Sequence, residues 1–189
     1  MLNKLENPEG ALLLSIARAA LENSVRGQPL SEINLNLLPE NLQKNGASFV
    51  TLTISNRLRG CIGTLEAFQA LALDIQEHAV AAALQDPRFP RVQPSELENI
   101  HVEVSVLSPK SQLHYEGPED LIKKLRANID GVMLQDGYRK ATFLPQVWEK
   151  LPEKELFLSH LCAKMGAPAT LWRQKPLRVY TYQVQKFSE

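Results

Sequence analysis

"ASFVTLTISNRLRGCIGTL", residues 47–65, is the stretch from which the fold can be read. Phe49, Thr51 and Thr53 alternate with Val50, Leu52 and Ile54, the period of a strand with one apolar face. "RLRGCIGTL" is a second extended run, so Ser55 and Asn56 mark the turn of a hairpin. Uninterrupted alternation puts Arg57, Arg59 and Cys61 on one face and Leu58 and Ile62 on the other, which is the core face. A guanidinium two residues away on the same face favours the thiolate of Cys61. Gly60 and Gly63 remove side chains beside it and let a backbone or a ligand approach. Two readings stay open from the local pattern: a nucleophilic or ligand-contacting thiol, and a buried cysteine in a bulged strand.

Working outward, helices and further hairpins flank this one. "NPEGALLLSIARAALENSVRG" (7–27) reads as an amphipathic helix with Asn7 as cap, Pro8 in the first turn and Gly27 as stop. Residues 67–85 read as a long helix with His78 on its apolar stripe, which makes His78 a satisfied core or interface histidine. "DPRFPRVQP" (86–94) is a proline-stiffened loop, and Ser95 with Glu98 has capping-box spacing. In "IHVEVSVLSP", Ile100, Val102, Val104 and Val106 face one way and His101, Glu103 and Ser105 the other. "PEDLIKKLRAN" reads as a short helix, and Asp136-Gly137 turns a second hairpin. A helix runs from near Pro152 to Gly166, and "PLRVYTYQVQKF" reads as one closing strand. Helices and antiparallel hairpins without regular βαβ alternation make the class α+β.

Composition narrows the functions. Lys plus Arg equals Asp plus Glu at 21 each, so the basic excess of a phosphate-binding nucleic-acid protein is missing. No apolar run has membrane-span length, so no membrane role is expected. Glu6, Glu9 and Arg18 argue against a signal peptide over 11–21. Two cysteines, Cys61 and Cys162, make no disulfide framework and suit free thiols in the cytoplasm.

Beyond Cys61, three groups carry chemistry. Asp86 and Arg88 suit an ion pair, a cap or a clamp on a ligand carboxylate or phosphate. Glu103 is a solvated strand residue, or a general base if its face lines a cleft. His160 and Cys162 are two apart on a helix and diverge, a poor metal pair, so no metal site is expected. No phosphate loop, dinucleotide fingerprint or nucleophile elbow is present, and no cofactor is specified.

"LRGCIG" (58–63), "DPRF" (86–89), "HVEVSVLSP" (101–109), "DGVMLQDGYRKATFLPQVW" (130–148) and "FLSHLCAKMG" (157–166) together resemble the AMMECR-type domain family, the AmmeMemoRadiSam system protein A of bacteria and archaea. "KMGAPATLW" departs from the family pattern, and Arg57 is not carried over. The resemblance covers nearly all of 1–189. It implies a single α+β domain with a mixed, largely antiparallel sheet flanked by helices. A larger and a smaller lobe would enclose a cleft lined by the signature strand. It implies a Memo-like and a radical-SAM protein as partners, and leaves reaction and cofactor open. Residue by residue it singles out Arg59, Gly60, Cys61, Gly63, Asp86, Arg88 and Glu103, with His160 more weakly. The expectation is an enzyme or enzyme component acting on a small molecule: Cys61 as nucleophile or redox thiol, Arg59 activating it or binding an anion, Glu103 moving protons. A non-catalytic adaptor of the same system is the alternative, and a nucleic-acid role is disfavoured by charge.

Overall fold

The computed structural model describes residues 4–189. The chain forms two compact units. One runs to Ser108 and regains Gln185–Glu189; the other is Pro109–Val184.

In the first unit, α1 (Asn7–Val25) buries Leu13, Ala17, Ala20 and Leu21. Its cap is Glu6 rather than Asn7, because Glu9 reaches back three residues and accepts from the Glu6 amide at 2.8 Å. A short α2 (Glu40–Gln43) leads into β1 (Asn45–Ile54) and β2 (Arg57–Gly63). Ser55 and Asn56 turn this hairpin with φ of 48° and 61°, as a two-residue primed turn requires. After β3 (Gln69–Ala70), α3 spans Leu71–Leu84, starting four residues later than the periodicity suggests because Gln69 and Ala70 pair with β1. The next cap joins Gln93 to Glu96, not Ser95 to Glu98, in a 3-10 turn over Pro94–Asn99. β4 (Ile100–Leu107) and β9 (Val184–Ser188) complete a sheet of order β2-β1-β4-β9, with β3 beside β1.

Every resolved ladder of this sheet is antiparallel. Val50 sits opposite Val104 and Leu52 opposite Val102, so the apolar faces of β1 and β4 coincide. That face packs on Leu13, Ala17 and Leu21 of α1 and on Leu71, Ile75, Ala79 and Ala82 of α3. Thr51, Cys61 and Glu103 therefore lie on the face turned away from the two helices.

The second unit holds β5 (Ser111–Gln112), α4 (Pro118–Lys124), β6 (Gly131–Asp136), β7 (Arg139–Phe143), α5 (Lys154–Lys164), α6 (Leu171–Gln174) and β8 (Arg178–Tyr182). Its sheet has the order β5-β8-β6-β7. The core centres on Trp148, stacked on Phe157 with ring centroids 3.6 Å apart, and on Trp172. The expected single closing strand is two: β8 pairs with β6 in this sheet, and β9 joins the sheet of the first unit. The helices and antiparallel sheets make the fold α+β.

Candidate functional site

Cys61 lies on β2, and the register of that strand is not uniform. Leu52 faces Gly60 but Thr53 faces Leu58, so Arg59 is an extra residue in a β-bulge. The bulge overturns the expected alternation. Directly opposed residues share a face, so Leu58 joins Thr53, Thr51 and Cys61 on the side away from the helices. Arg59 stands outside the ladder. Its Nε and Nη2 donate to the two carboxylate oxygens of Glu96 at 2.7 and 2.9 Å, and its Nη1 donates to the Pro90 carbonyl at 2.9 Å. That bidentate bond, more than any other influence, holds the Glu96 carboxyl below its usual range. Arg59 fixes the loop rather than the thiol.

The cation beside Cys61 is Arg88. Asp86 is buried, at 5% exposure, and both its oxygens accept from Arg88: Nε at 2.9 Å to Oδ1 and Nη2 at 2.7 Å to Oδ2. The Arg88 amide donates to Oδ1 at 3.1 Å. Oδ2 also accepts the Cys61 amide at 2.8 Å, and Arg88 Nη2 donates to the Cys61 carbonyl at 3.0 Å. The Arg88 bonds, helped by the two amides and opposed by burial, hold the Asp86 carboxyl far below the ordinary carboxylate range. Asp86 and Arg88 thus occupy the outer hydrogen-bonding edge of β2 at Cys61, where an added strand would otherwise pair.

This edge clamp sets the thiol's surroundings. Because the Cys61 amide and carbonyl both point outward, Cys61 and Thr51 form a non-hydrogen-bonded pair, the closer of the two antiparallel pair types. Thr51 Oγ1 donates to Cys61 Sγ at 3.3 Å. One strand further, Thr51 faces Glu103. Lys186 on β9 approaches the Glu103 carboxylate at 3.3 Å, and the Ser105 hydroxyl donates to it at 3.5 Å. Cys61, Thr51 and Glu103 form a row across three strands, so the Cys61 and Glu103 backbones stand about 10 Å apart.

The glycines serve packing. A Cβ on Gly60 would meet the Ala82 carbonyl at 2.2 Å, and one on Gly63 would meet the Ser48 carbonyl at 2.3 Å and the Phe49 ring at 2.4 Å. Both spaces are filled by the protein itself. His160 is exposed on α5 in the second unit, where Cys162 is buried in the core and burial pushes its thiol up. Sequence reasoning passed over Thr51 and Lys186 as site residues. Their signal is register, which alternation within single strands does not carry. It also passed over Ser48, which donates to Asp74 at 2.6 Å beside His78, although Asp74 and His78 are 3.2 Å apart at helical spacing. This trio is buried on the helix-facing side.

Among the described residues no group of three or more His, Cys, Asp or Glu gathers to hold a metal, and no helix is long and apolar enough to cross a membrane.

Comparison with known proteins places this geometry. A protein of Methanothermobacter thermautotrophicus is 40% identical, over 98% of this chain and 96% of its own length. Protein MJ0810 of Methanocaldococcus jannaschii is 34% identical, over 96% and 90%. The crystal structure of the uncharacterized protein PH0010 from Pyrococcus horikoshii superposes with a TM-score of 0.86 at 32% identity, covering 99% of this chain and 94% of that one. The AMMECR1 family model matches residues 14–187, from inside α1 to the last strand. Both β2 with its clamp and Glu103 fall inside that span, and the chain belongs to the AMMECR1 family.

Proposed function

We propose that the chain is an enzyme, or a component of one, that captures a small molecule on Cys61 and releases it with help from Glu103. The observation that carries this reading is the treatment of Cys61: its backbone is pinned by Asp86 and Arg88 while its sulfur accepts from Thr51. A strand cysteine needs none of these to pack. A fixed backbone and a hydroxyl donor orient a sulfur for nucleophilic attack.

The spacing supports two steps. In the first, the thiolate electron pair forms a bond to an electrophilic carbon, and the leaving group departs with its own bonding pair. In the second, water attacks that carbon, its proton passes to the Glu103 carboxylate, and sulfur leaves with the pair of the S–C bond. Cys61 and Glu103 project from one sheet face on strands two apart, about 10 Å between backbones with Thr51 between them, so a carbon on Sγ and a water on the carboxylate would meet above Thr51. Lys186 and Ser105 orient Glu103 for the proton transfer. Resemblance of the signature segments to the AmmeMemoRadiSam system supports a Memo-like and a radical-SAM protein as partners; co-purification with either checks this.

Iodoacetamide tests the nucleophile. The rate of Cys61 alkylation at pH 7, followed by peptide mass, should exceed that of the same residue in the urea-unfolded chain by tenfold or more. A folded-state rate equal to or below the unfolded one would sink the nucleophile role and leave a non-catalytic binding module.

A further inference from the structure

We infer that the molecule handled at Cys61 carries an anionic oxygen group, a carboxylate or a phosphate, beside its reactive carbon, and that the free edge of Arg88 receives it. This rests on the reading of Cys61 as a nucleophile and adds the substrate class.

A guanidinium has five N–H donors: one on Nε and two on each terminal nitrogen. In Arg88, Nε and Nη2 are committed to Asp86 and to the Cys61 carbonyl. The Phe89 ring lies 5.5 Å from the guanidinium carbon. Nη1 meets no protein oxygen among the described residues, and the side chain is 54% exposed whereas that of its partner Asp86 is 2%. Nε, Nη2 and one face are thus held, and the two diverging N–H donors of Nη1 are left, on the guanidinium whose Nη2 bonds the backbone carbonyl of the nucleophile.

Two features separate this from an ordinary surface arginine. Its rotamer is already fixed, so an oxyanion binds it without ordering a long side chain. Arg88 also has an unpaired cation in its own loop: Asp86 pairs with Arg88 and Glu96 with Arg59, while Arg91, beside Pro90, is exposed and makes no ion pair among the described residues. Nη2 of the same guanidinium lies 3.0 Å from the Cys61 carbonyl, so an oxyanion on the adjoining Nη1 is held beside the nucleophile's own residue, the positioning a displacement needs.

The experiment compares two alkylating agents of equal size, iodoacetate and the neutral iodoacetamide. With each, the S–C bond forms as iodide leaves with the C–I pair. The ratio of their rates at Cys61 is divided by the same ratio in the urea-unfolded chain. The expected value is tenfold or more in favour of iodoacetate, with saturation, and it collapses toward one in Arg88→Gln. The measurement on the unaltered chain decides even if that variant fails to fold. Slowing of the iodoacetate reaction by acetate but not inorganic phosphate assigns a carboxylate substrate, and the reverse assigns a phosphate. Slowing by neither overturns the anion site. Rapid iodoacetamide reaction with a normalised ratio at or below one overturns this inference and leaves the nucleophile standing. No reaction with either agent removes both.

Discussion

Asp86 does two things with one carboxylate: it fixes the amide of Cys61 and it holds the guanidinium of Arg88. Asp86→Asn keeps the shape but loses the charge, and should cost about 2 kcal/mol at pH 7, the scale of hydrogen bonds to charged groups. The effect depends on pH with a definite sign. The folded carboxyl titrates far below the ordinary range, whereas in the unfolded chain it titrates near ~3.9. Its stabilisation is therefore complete above that unfolded value and is lost as pH falls toward the folded one. Urea unfolding at pH 7, 5 and 3 should show the parent losing stability faster than Asp86→Asn below about pH 5, so that the gap between them narrows. A gap that stays constant to pH 3 would show that the charge of Asp86 contributes nothing.

Among the elements, β2 carries the most local information. Its bulge at Arg59 lets the guanidinium reach Glu96 while Cys61 stays in register with Thr51. Gly60, the next residue, allows the last turn of α3 to touch the strand, since its missing Cβ would lie 2.2 Å from the Ala82 carbonyl. Backbone on both sides cannot yield as a flexible side chain does. Gly60→Ala should cost about 2–3 kcal/mol, an overpacking penalty, and lower Tm by roughly 4–12 °C. An unchanged Tm in thermal unfolding followed by circular dichroism would show that α3 and β2 are not pressed together. The hairpin itself was legible, since alternation through 47–54 and an Asn at the turn suffice to place two strands. The bulge was not. Strict alternation through 57–63 put Arg59 beside Cys61, because nothing in a single strand shows where its partner skips a residue.

At the scale of the molecule, the first unit is closed by residues from the far end of the chain. Gln185 exchanges two hydrogen bonds with the Leu5 backbone at 2.9 and 2.6 Å, and Phe187 fills the space beside Gly10. Glu189 pairs with Arg18 and accepts the Val102 amide at 3.0 Å. Deleting 185–189 removes β9 and should destabilise this unit by roughly 3 kcal/mol or more, from lost apolar burial and charged hydrogen bonds. Both tryptophans, Trp148 and Trp172, lie in the other unit, so the readout is Cys61 alkylation in low urea rather than fluorescence. Alkylation kinetics unchanged across the urea series would refute the role of β9.

The sequence by itself determined the α+β class, most element positions, the apolar faces of β1 and β4, and the residues worth watching: Cys61, Asp86, Arg88 and Glu103. These follow from period, turn chemistry and short motifs, all of which act within a few residues. Only the tertiary structure decided which arginine stands by the thiol, that Thr51 donates to it, that Gly60 and Gly63 serve packing, and that the closing run divides between two sheets. Each of these depends on strand register or on segments far apart in the chain. Register is set by packing across the whole sheet, where one bulged residue reassigns every face beyond it.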